Sequence, residues 1–289
     1  MTAADERAEK PVSTNASMPA SMNEMRIASR PVGLHVESAG TGPPLVLLHG
    51  WAMHSGIWGP IVGRLAERFR VHAIDLPGHG HSALGQPFTL DSACAAVARS
   101  VPADAGPLIV VGWSLGGLIA MRWARQEPAR VRRLALVATT PRFVAAPDWP
   151  HGTSAQTLAR FGDELHVAWK LTIQRFLALQ LQGSDHGKAT LATMRRQIFE
   201  RGAPVPDALF GALDAIVTAD LRAEVPHIAQ AALVIGGSRD TLALPGATRW
   251  LGEHLPDARL VSIEGAAHVP FLSHPDTFAA ALDDFVDGR

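Results

Sequence analysis

Six short apolar runs constrain this chain more than any other feature: Leu45–Leu48, Val71–Ile74, Leu108–Val111, Leu134–Val137, Leu233–Ile235 and Leu260–Ile263. Each is strand-length, rich in Val, Ile and Leu, and soon gives way to Gly, Asp, Thr or Glu. Runs apolar on both faces fit a parallel sheet covered by helices on both sides. Helix-like stretches lie between them: Ile57–Arg68, Asp91–Arg99 with Thr89 or Asp91 as N-cap, Leu118–Gln126 ahead of Pro128, and Pro275–Phe285 behind His274. Strand and helix alternating in this way predict a doubly wound α/β core.

The alternation breaks between Arg142 and Arg222, where no strand-like run occurs. A helical stripe replaces it over Leu165–Gln182, through Trp169, Ile173, Phe176, Leu177, Gln180 and Leu181. Further helical stretches follow at Ala189–Arg201 and Asp207–Val217. The expected organisation is a core over residues 26–141 and 223–289, with an all-helical insertion over 142–222. Residues 1–25 are small, polar and Pro-interrupted, and are expected to form a disordered tail. They lack the apolar stretch of about 7–15 residues that a secretory signal needs. Met18, Met22 and Met25 leave room for a later start.

Composition excludes several classes. Hydrophobic residues make up 47% and charged residues 18%, with a net charge of −1, unlike a disordered chain or a basic nucleic-acid binder. No apolar run approaches the roughly 18–20 residues that span a bilayer. One cysteine, Cys94, excludes an intrachain disulfide and a cysteine-built metal site. Without an export signal or paired cysteines, the expected location is the cytoplasm. No H-E-x-x-H metal motif and no phosphate-binding glycine loop occur, so neither a metal nor a cofactor is expected.

The strongest local signal is Gly112-Trp113-Ser114-Leu115-Gly116, followed by Gly117. It sits between a strand-like run and a helix-like stretch, the setting in which G-x-S-x-G marks a nucleophile turn. On so sharp a turn, Cβ atoms two positions from the serine would collide, and Gly112 and Gly116 remove them. The turn would lift the Ser114 hydroxyl above the sheet and aim the Leu115 N–H at developing negative charge.

A serine nucleophile needs an oxyanion hole, a base and an acid. One oxyanion donor should be the Leu115 N–H, and the other should come from the loop after an early strand, here His49-Gly50-Trp51, through the Trp51 N–H. Trp51 and Trp113 would line the pocket mouth, with a plain core position the alternative for Trp113. The expected order is serine, acid, histidine. Asp240 follows the run ending at Ile235, and His268 follows the run ending at Ile263. Asp220 falls too early, inside the insertion, and His274 before Pro275 has the position of a helix cap.

Together, L-H-G-W, D-L-P-G-H-G-H-S, G-W-S-L-G-G, G-x-x-D and G-x-x-H resemble the α/β-hydrolase superfamily from Ile27 to about Gly288. Within it, Leu48–Trp51, Gly112–Gly117, the R-F-L-A-L-Q stretch at Arg175–Gln180 and Ala266–Pro275 are similar to the pimeloyl-[acyl-carrier protein] methyl ester esterases of biotin synthesis. The R-F-L-A-L-Q stretch weighs most, because insertions vary more than cores. The long N-terminal tail and the residues after Gln180 depart from the pattern.

The resemblance implies a cofactor-free serine esterase. Trp51, Ser114, Leu115, Phe176, Leu177, Ala178, Leu179, Gln180 and His268 would contact substrate. The implied partner is an acidic acyl-carrier protein, and a monomer is expected, binding neither nucleic acid nor membrane. Residues 165–205 carry six basic residues (Lys170, Arg175, Lys188, Arg195, Arg196, Arg201) against Asp185 and Glu200, a local charge of +4. Arg175, Lys188, Arg195 and Arg196 are the candidate docking residues, an ordinary solvated surface being the alternative. A general short-chain carboxylesterase, a perhydrolase, a C–C bond hydrolase or a non-catalytic binding protein on this fold would share these residues. Dehalogenase and epoxide hydrolase relatives fit poorly, since the nucleophile position is Ser114 and the chain has no tyrosine.

Overall fold

The structure, a computed structural model, describes residues 33–288, so the tail expected over residues 1–25 lies outside the described residues. The strands are β1 (Val36–Ala39), β2 (Pro44–Leu48), β3 (Arg70–Ile74), β4 (Leu108–Trp113), β5 (Val131–Val137), β6 (Ala231–Gly237) and β7 (Ala258–Ile263). They form one sheet in the order β1-β3-β2-β4-β5-β6-β7, parallel except for the antiparallel β1–β3 pair. This is the mostly parallel α/β sheet that the apolar runs predict. β2, β4, β5 and β6 are almost wholly buried. The edges differ. β1, with the sequence V-E-S-A, has half-exposed and exposed positions and no apolar run. In β7, Leu260 is 43% exposed, so two-sided burial fails at that edge.

The helices that lie before β5 are α1 (Gly59–Ala66), α2 (Leu90–Ser100) and α3 (Leu115–Gln126), and those after β6 are α7 (Pro245–His254), α8 (Pro270–Ser273) and α9 (Pro275–Val286). Thr89 caps α2 through a reciprocal box: its hydroxyl accepts the Ser92 N–H at 3.0 Å and its N–H donates to the Ser92 hydroxyl at 2.8 Å. α3 begins at Leu115, ahead of the predicted Leu118, because Ser114 itself is the residue before the first turn. α9 follows His274, but that ring shares a hydrogen bond of 2.9 Å with the Ser273 hydroxyl and makes no cap bond.

Between β5 and β6 run α4 (Ala155–Leu179), α5 (Gly187–Gln197) and α6 (Pro206–Thr218). α4 starts well before the predicted Leu165 and is kinked at Ala168, whose φ and ψ are −148° and 57°. Thr172 spans the kink, its hydroxyl donating to the Glu164 and Ala168 carbonyls at 3.0 and 3.1 Å. The two ends of this segment are tied together: Asp220 accepts from Arg142 at 2.8 Å and from Arg222 at 2.7 Å. Bonding to Arg222 outweighs partial burial and holds the Asp220 carboxyl down to about 2. Asp220 is therefore committed to two arginines. No helix among the described residues is long and apolar enough to cross a membrane.

Candidate active site

β4 ends in the turn that carries Ser114, whose φ is +54° and ψ −115°. A non-glycine residue in this region is strained. The turn is held from both sides: the Ser114 N–H donates to the Val137 carbonyl at 3.0 Å, and its carbonyl accepts from the Gly117 N–H at 2.9 Å and the Thr139 hydroxyl at 2.8 Å. A Cβ at Gly112 would lie 2.3 Å from the Gly116 carbonyl oxygen, and one at Gly116 would lie 2.3 Å from the Leu48 carbonyl oxygen.

The loops after β6 and β7 bring Asp240 and His268 to this turn. His268 Nε2 lies 3.0 Å from Ser114 Oγ. His268 Nδ1 lies 2.9 and 3.1 Å from the two carboxylate oxygens of Asp240. A carboxylate only accepts, so Nδ1 carries the proton and Nε2 is left to accept from the Ser114 hydroxyl. Asp240 Oδ1 also accepts the Leu242 and Ala243 N–H groups at 2.8 and 3.0 Å, which fixes its orientation. All three side chains are buried. Trp113 is buried as well and does not line the cavity: its indole N–H donates to the His268 carbonyl at 2.8 Å. The pocket-mouth expectation for Trp113 gives way to a supporting position behind His268.

Neither the Trp51 nor the Leu115 backbone N–H has a hydrogen-bond acceptor among the described residues. Ala52, next to Trp51, has φ +62°, a second strained position in the loop after β2. The Trp51 ring is fixed by its N–H on the Leu209 carbonyl at 3.0 Å and by edge contacts with Phe161 and Phe176. These rings wall a narrow cavity of about 90 Å³ that reaches Ser114 and His268.

Of the R-F-L-A-L-Q residues, Phe176 and Leu179 line the cavity, one helical turn apart. Leu177, Ala178 and Gln180 do not, because helical rotation points them elsewhere: Leu177 is buried in the core, Ala178 is exposed, and Gln180 is buried, with its carbonyl on the His268 N–H at 3.0 Å. The remaining lining includes Phe143, Leu158, Phe161, Leu213, Ile216 and Leu242, none of them expected from the sequence. For Leu158 and Phe161 the i, i+3 spacing was the available signal. A larger open groove of about 870 Å³ lies by Glu37, Ser55, Gln197 and Arg201; it shares no lining residue with this cavity and none of its lining belongs to the Ser114–His268–Asp240 line.

The candidate docking residues Arg175, Lys188, Arg195 and Arg196 are exposed. Arg175 lies 3.7 Å from Glu164, and Arg196 donates to the Thr193 hydroxyl at 3.2 Å. Arg201, which contributed to the +4 segment, turns inward onto Ser55, Glu37 and Asp75. His35, Asp75 and His81 cluster at ligand-like spacing. The Asp75 oxygens there already accept the Ser55 and His81 N–H groups at 2.7 and 2.9 Å and face Arg201.

Two buried histidines sit behind the Trp51 loop. Burial, with His79 nearby, pushes His49 down to about 3, and burial pushes His79 down to about 4. An unfolded histidine titrates near 6.5. Between these values the unfolded chain binds protons that the folded chain excludes, so stability falls as pH falls below 6.5. At pH 5 each histidine costs about 2 kcal/mol. The expected result is a melting temperature roughly 5–10 °C lower at pH 5 than at pH 7. Equal melting temperatures would contradict it.

A family model described as alpha/beta hydrolase family matches residues 45–281. The pimeloyl-[acyl-carrier protein] methyl ester esterase of Nitrosomonas europaea is 44% identical over 250 residues, covering 86% of this chain and 98% of that protein. The protein of the same name from Stenotrophomonas maltophilia is 42% identical, covering 88% and 96%. Among solved structures, an esterase from Exiguobacterium antarcticum superposes with a TM-score of 0.80 at 20% identity, covering 88% of this chain and 95% of its own. The enol-lactonase from Burkholderia xenovorans gives 0.74 at 24% identity, covering 88% and 96%; both similarities speak to the fold. The chain belongs to the alpha/beta hydrolase family.

Proposed function

We propose that this chain is a serine carboxylesterase that hydrolyses the methyl ester of pimeloyl-[acyl-carrier protein], releasing methanol, in biotin synthesis. The observation that carries the reading is the hydrogen-bonded line Ser114–His268–Asp240 at an apolar cavity. The relatives named for this reaction, 41–44% identical, support the choice of substrate.

His268 Nε2 takes the Ser114 proton as Oγ attacks the ester carbonyl. The carbonyl oxygen becomes an oxyanion, held by the N–H groups of Trp51 and Leu115. Asp240 stabilises the imidazolium and keeps its tautomer. Collapse expels methoxide, which takes the proton from His268 and leaves as methanol. A water then loses a proton to His268 and attacks the acyl-enzyme; as the tetrahedral adduct collapses, His268 returns that proton to Ser114 Oγ, and the acid departs and ionises to the carboxylate. No step calls on a cofactor. The cavity lining holds no Asp, Glu, Lys or Arg. An uncharged methyl ester and a methylene chain can enter it, whereas the carboxylate product is destabilised there and leaves. In this reading one chain supplies every group, as a cytoplasmic monomer.

Arg175, Lys188, Arg195 and Arg196 would meet the acidic carrier. Reversing Arg175 and Arg195 to Glu is expected to lower kcat/KM on the carrier-bound ester by on the order of 10-fold, with a small ester nearly unaffected. Equal losses on both substrates would remove the docking assignment. The same assay tests the substrate: wild type should prefer carrier-bound methyl pimeloate to free short-chain methyl esters. The opposite preference would make it a general esterase.

A further inference from the structure

The turn after α4 touches both loops that hold the proposed base and acid. The Gln180 carbonyl accepts the His268 N–H at 3.0 Å, and the Asp185 N–H donates to the Gly265 carbonyl at 3.0 Å. On the acid side, Arg239 immediately precedes Asp240. Arg239 Nη1 donates to the Gly183 carbonyl at 2.8 Å and to Asp185 Oδ1 at 2.5 Å. The Arg239 backbone N–H donates to the Ala266 carbonyl at 2.9 Å, and the Gly265 N–H donates to the Ser238 hydroxyl at 3.0 Å. A closed circuit of hydrogen bonds therefore joins residues 180–185, 238–240 and 265–268.

We propose that Arg239 and Asp185 are positioning residues: their ion pair clamps the 180–185 turn of the insertion onto both loops and so sets the alignment of Asp240 and His268 on Ser114. The two side chains are 45% and 51% exposed, so the pair adds little to global stability. Its contribution is directional. Arg239 reaches across from the residue beside the acid, and Asp185 binds two residues of the clamp at once, through its side chain to Arg239 and its N–H to Gly265. Arg239→Ala removes the side-chain tie between the acid loop and the turn, and Asp185→Ala leaves of it only the Arg239–Gly183 bond, while the Gln180–His268, Asp185–Gly265, Arg239–Ala266 and Ser238–Gly265 bonds remain in both. A misplacement of about 1 Å at a reacting group costs on the order of 10²-fold. A circuit that keeps four of its bonds should move less, and the expected loss in kcat is on the order of 10-fold. Because one nitrogen, Nη1, serves both acceptors, a lysine ammonium with its three donors can replace it.

The inference rests on the esterase reading, so the assay uses p-nitrophenyl butyrate, which needs no carrier protein. Wild type, Arg239→Ala, Arg239→Lys, Asp185→Ala and the double alanine variant are compared for kcat, KM and melting temperature. Both single alanine variants should lose on the order of 10-fold in kcat, with KM within about twofold and melting temperature unchanged. Lysine should restore most of the rate, and the double variant should be no worse than Arg239→Ala alone, because Asp185→Ala keeps the Arg239–Gly183 bond. Wild type and alanine variants with equal kcat would overturn the clamp, as would additive losses or losses that follow a lowered melting temperature. A wild type that leaves the ester intact would overturn the esterase reading itself.

Discussion

Ser114→Ala is expected to fold as the wild type does and to lose on the order of 10⁶-fold in ester turnover. The substitution removes one oxygen, whose hydrogen bond is the 3.0 Å contact with His268 Nε2. The bonds that hold the turn belong to the Ser114 backbone, through Val137, Gly117 and Thr139, and they survive. His268 stays on Asp240 and the Trp51 and Leu115 N–H groups proposed as the oxyanion hole stay in place, so the residual rate reports what they achieve without a nucleophile. The check is turnover of a small ester beside a thermal melt. A variant with near-wild-type turnover would contradict Ser114 as nucleophile, and one that fails to fold would contradict the account of the turn.

The second large effect concerns folding. Gly116→Ala is expected to destabilise the chain by upward of about 3 kcal/mol, a large share of the roughly 5–15 kcal/mol that holds a domain together. The new Cβ would stand 2.3 Å from the Leu48 carbonyl oxygen and 2.8 Å from that of His49. Both are backbone atoms where β2 runs into the Trp51 loop, so no side-chain rotation relieves the overlap. α3 would have to back away, carrying the Leu115 N–H with it. Gly112→Ala meets the same obstacle from the other side, at 2.3 Å from the Gly116 carbonyl oxygen. Thermal melts of the two variants test this, and a Gly116→Ala protein melting with the wild type would contradict it. In the proposed mechanism stability and chemistry are linked here, because the close approach that forbids a side chain is what brings Ser114 and the Leu115 N–H up to the loop after β2.

The parts of the molecule readable in advance share a physical cause. β2, β4, β5 and β6 are buried on both faces, and two-sided burial writes itself as continuous Val, Ile and Leu. Ser114, Asp240 and His268 follow three of the apolar runs, so their chain positions could be named from local pattern alone. Edge β1 could not, since pairing only with β3 asks for no apolar run. α7 carries no clear helical stripe because Gly246 and Gly252 dilute its pattern. In the extra turns of α4 before Leu165 half the residues are polar, and the contacts with the cavity come from Thr157 and the half-buried Leu158 and Phe161, too few for a continuous apolar stripe. Which of Phe176 to Gln180 face substrate depends on helix phase, which a motif does not carry. Trp113 illustrates the same limit: its indole reaches the carbonyl of a residue 155 positions away. The inward turn of Arg201 onto Asp75 and Glu37 is another long-range choice, and it removes one cation from the +4 stretch of residues 165–205.

Intact-mass spectrometry of methyl-pimeloyl-carrier protein, incubated with wild type or Ser114→Ala, tests the central claim most directly. Loss of a single methyl group with wild type and none with Ser114→Ala is the predicted result. A carrier-bound ester left untouched by a wild type that cleaves small esters, or demethylated equally by both proteins, would contradict it.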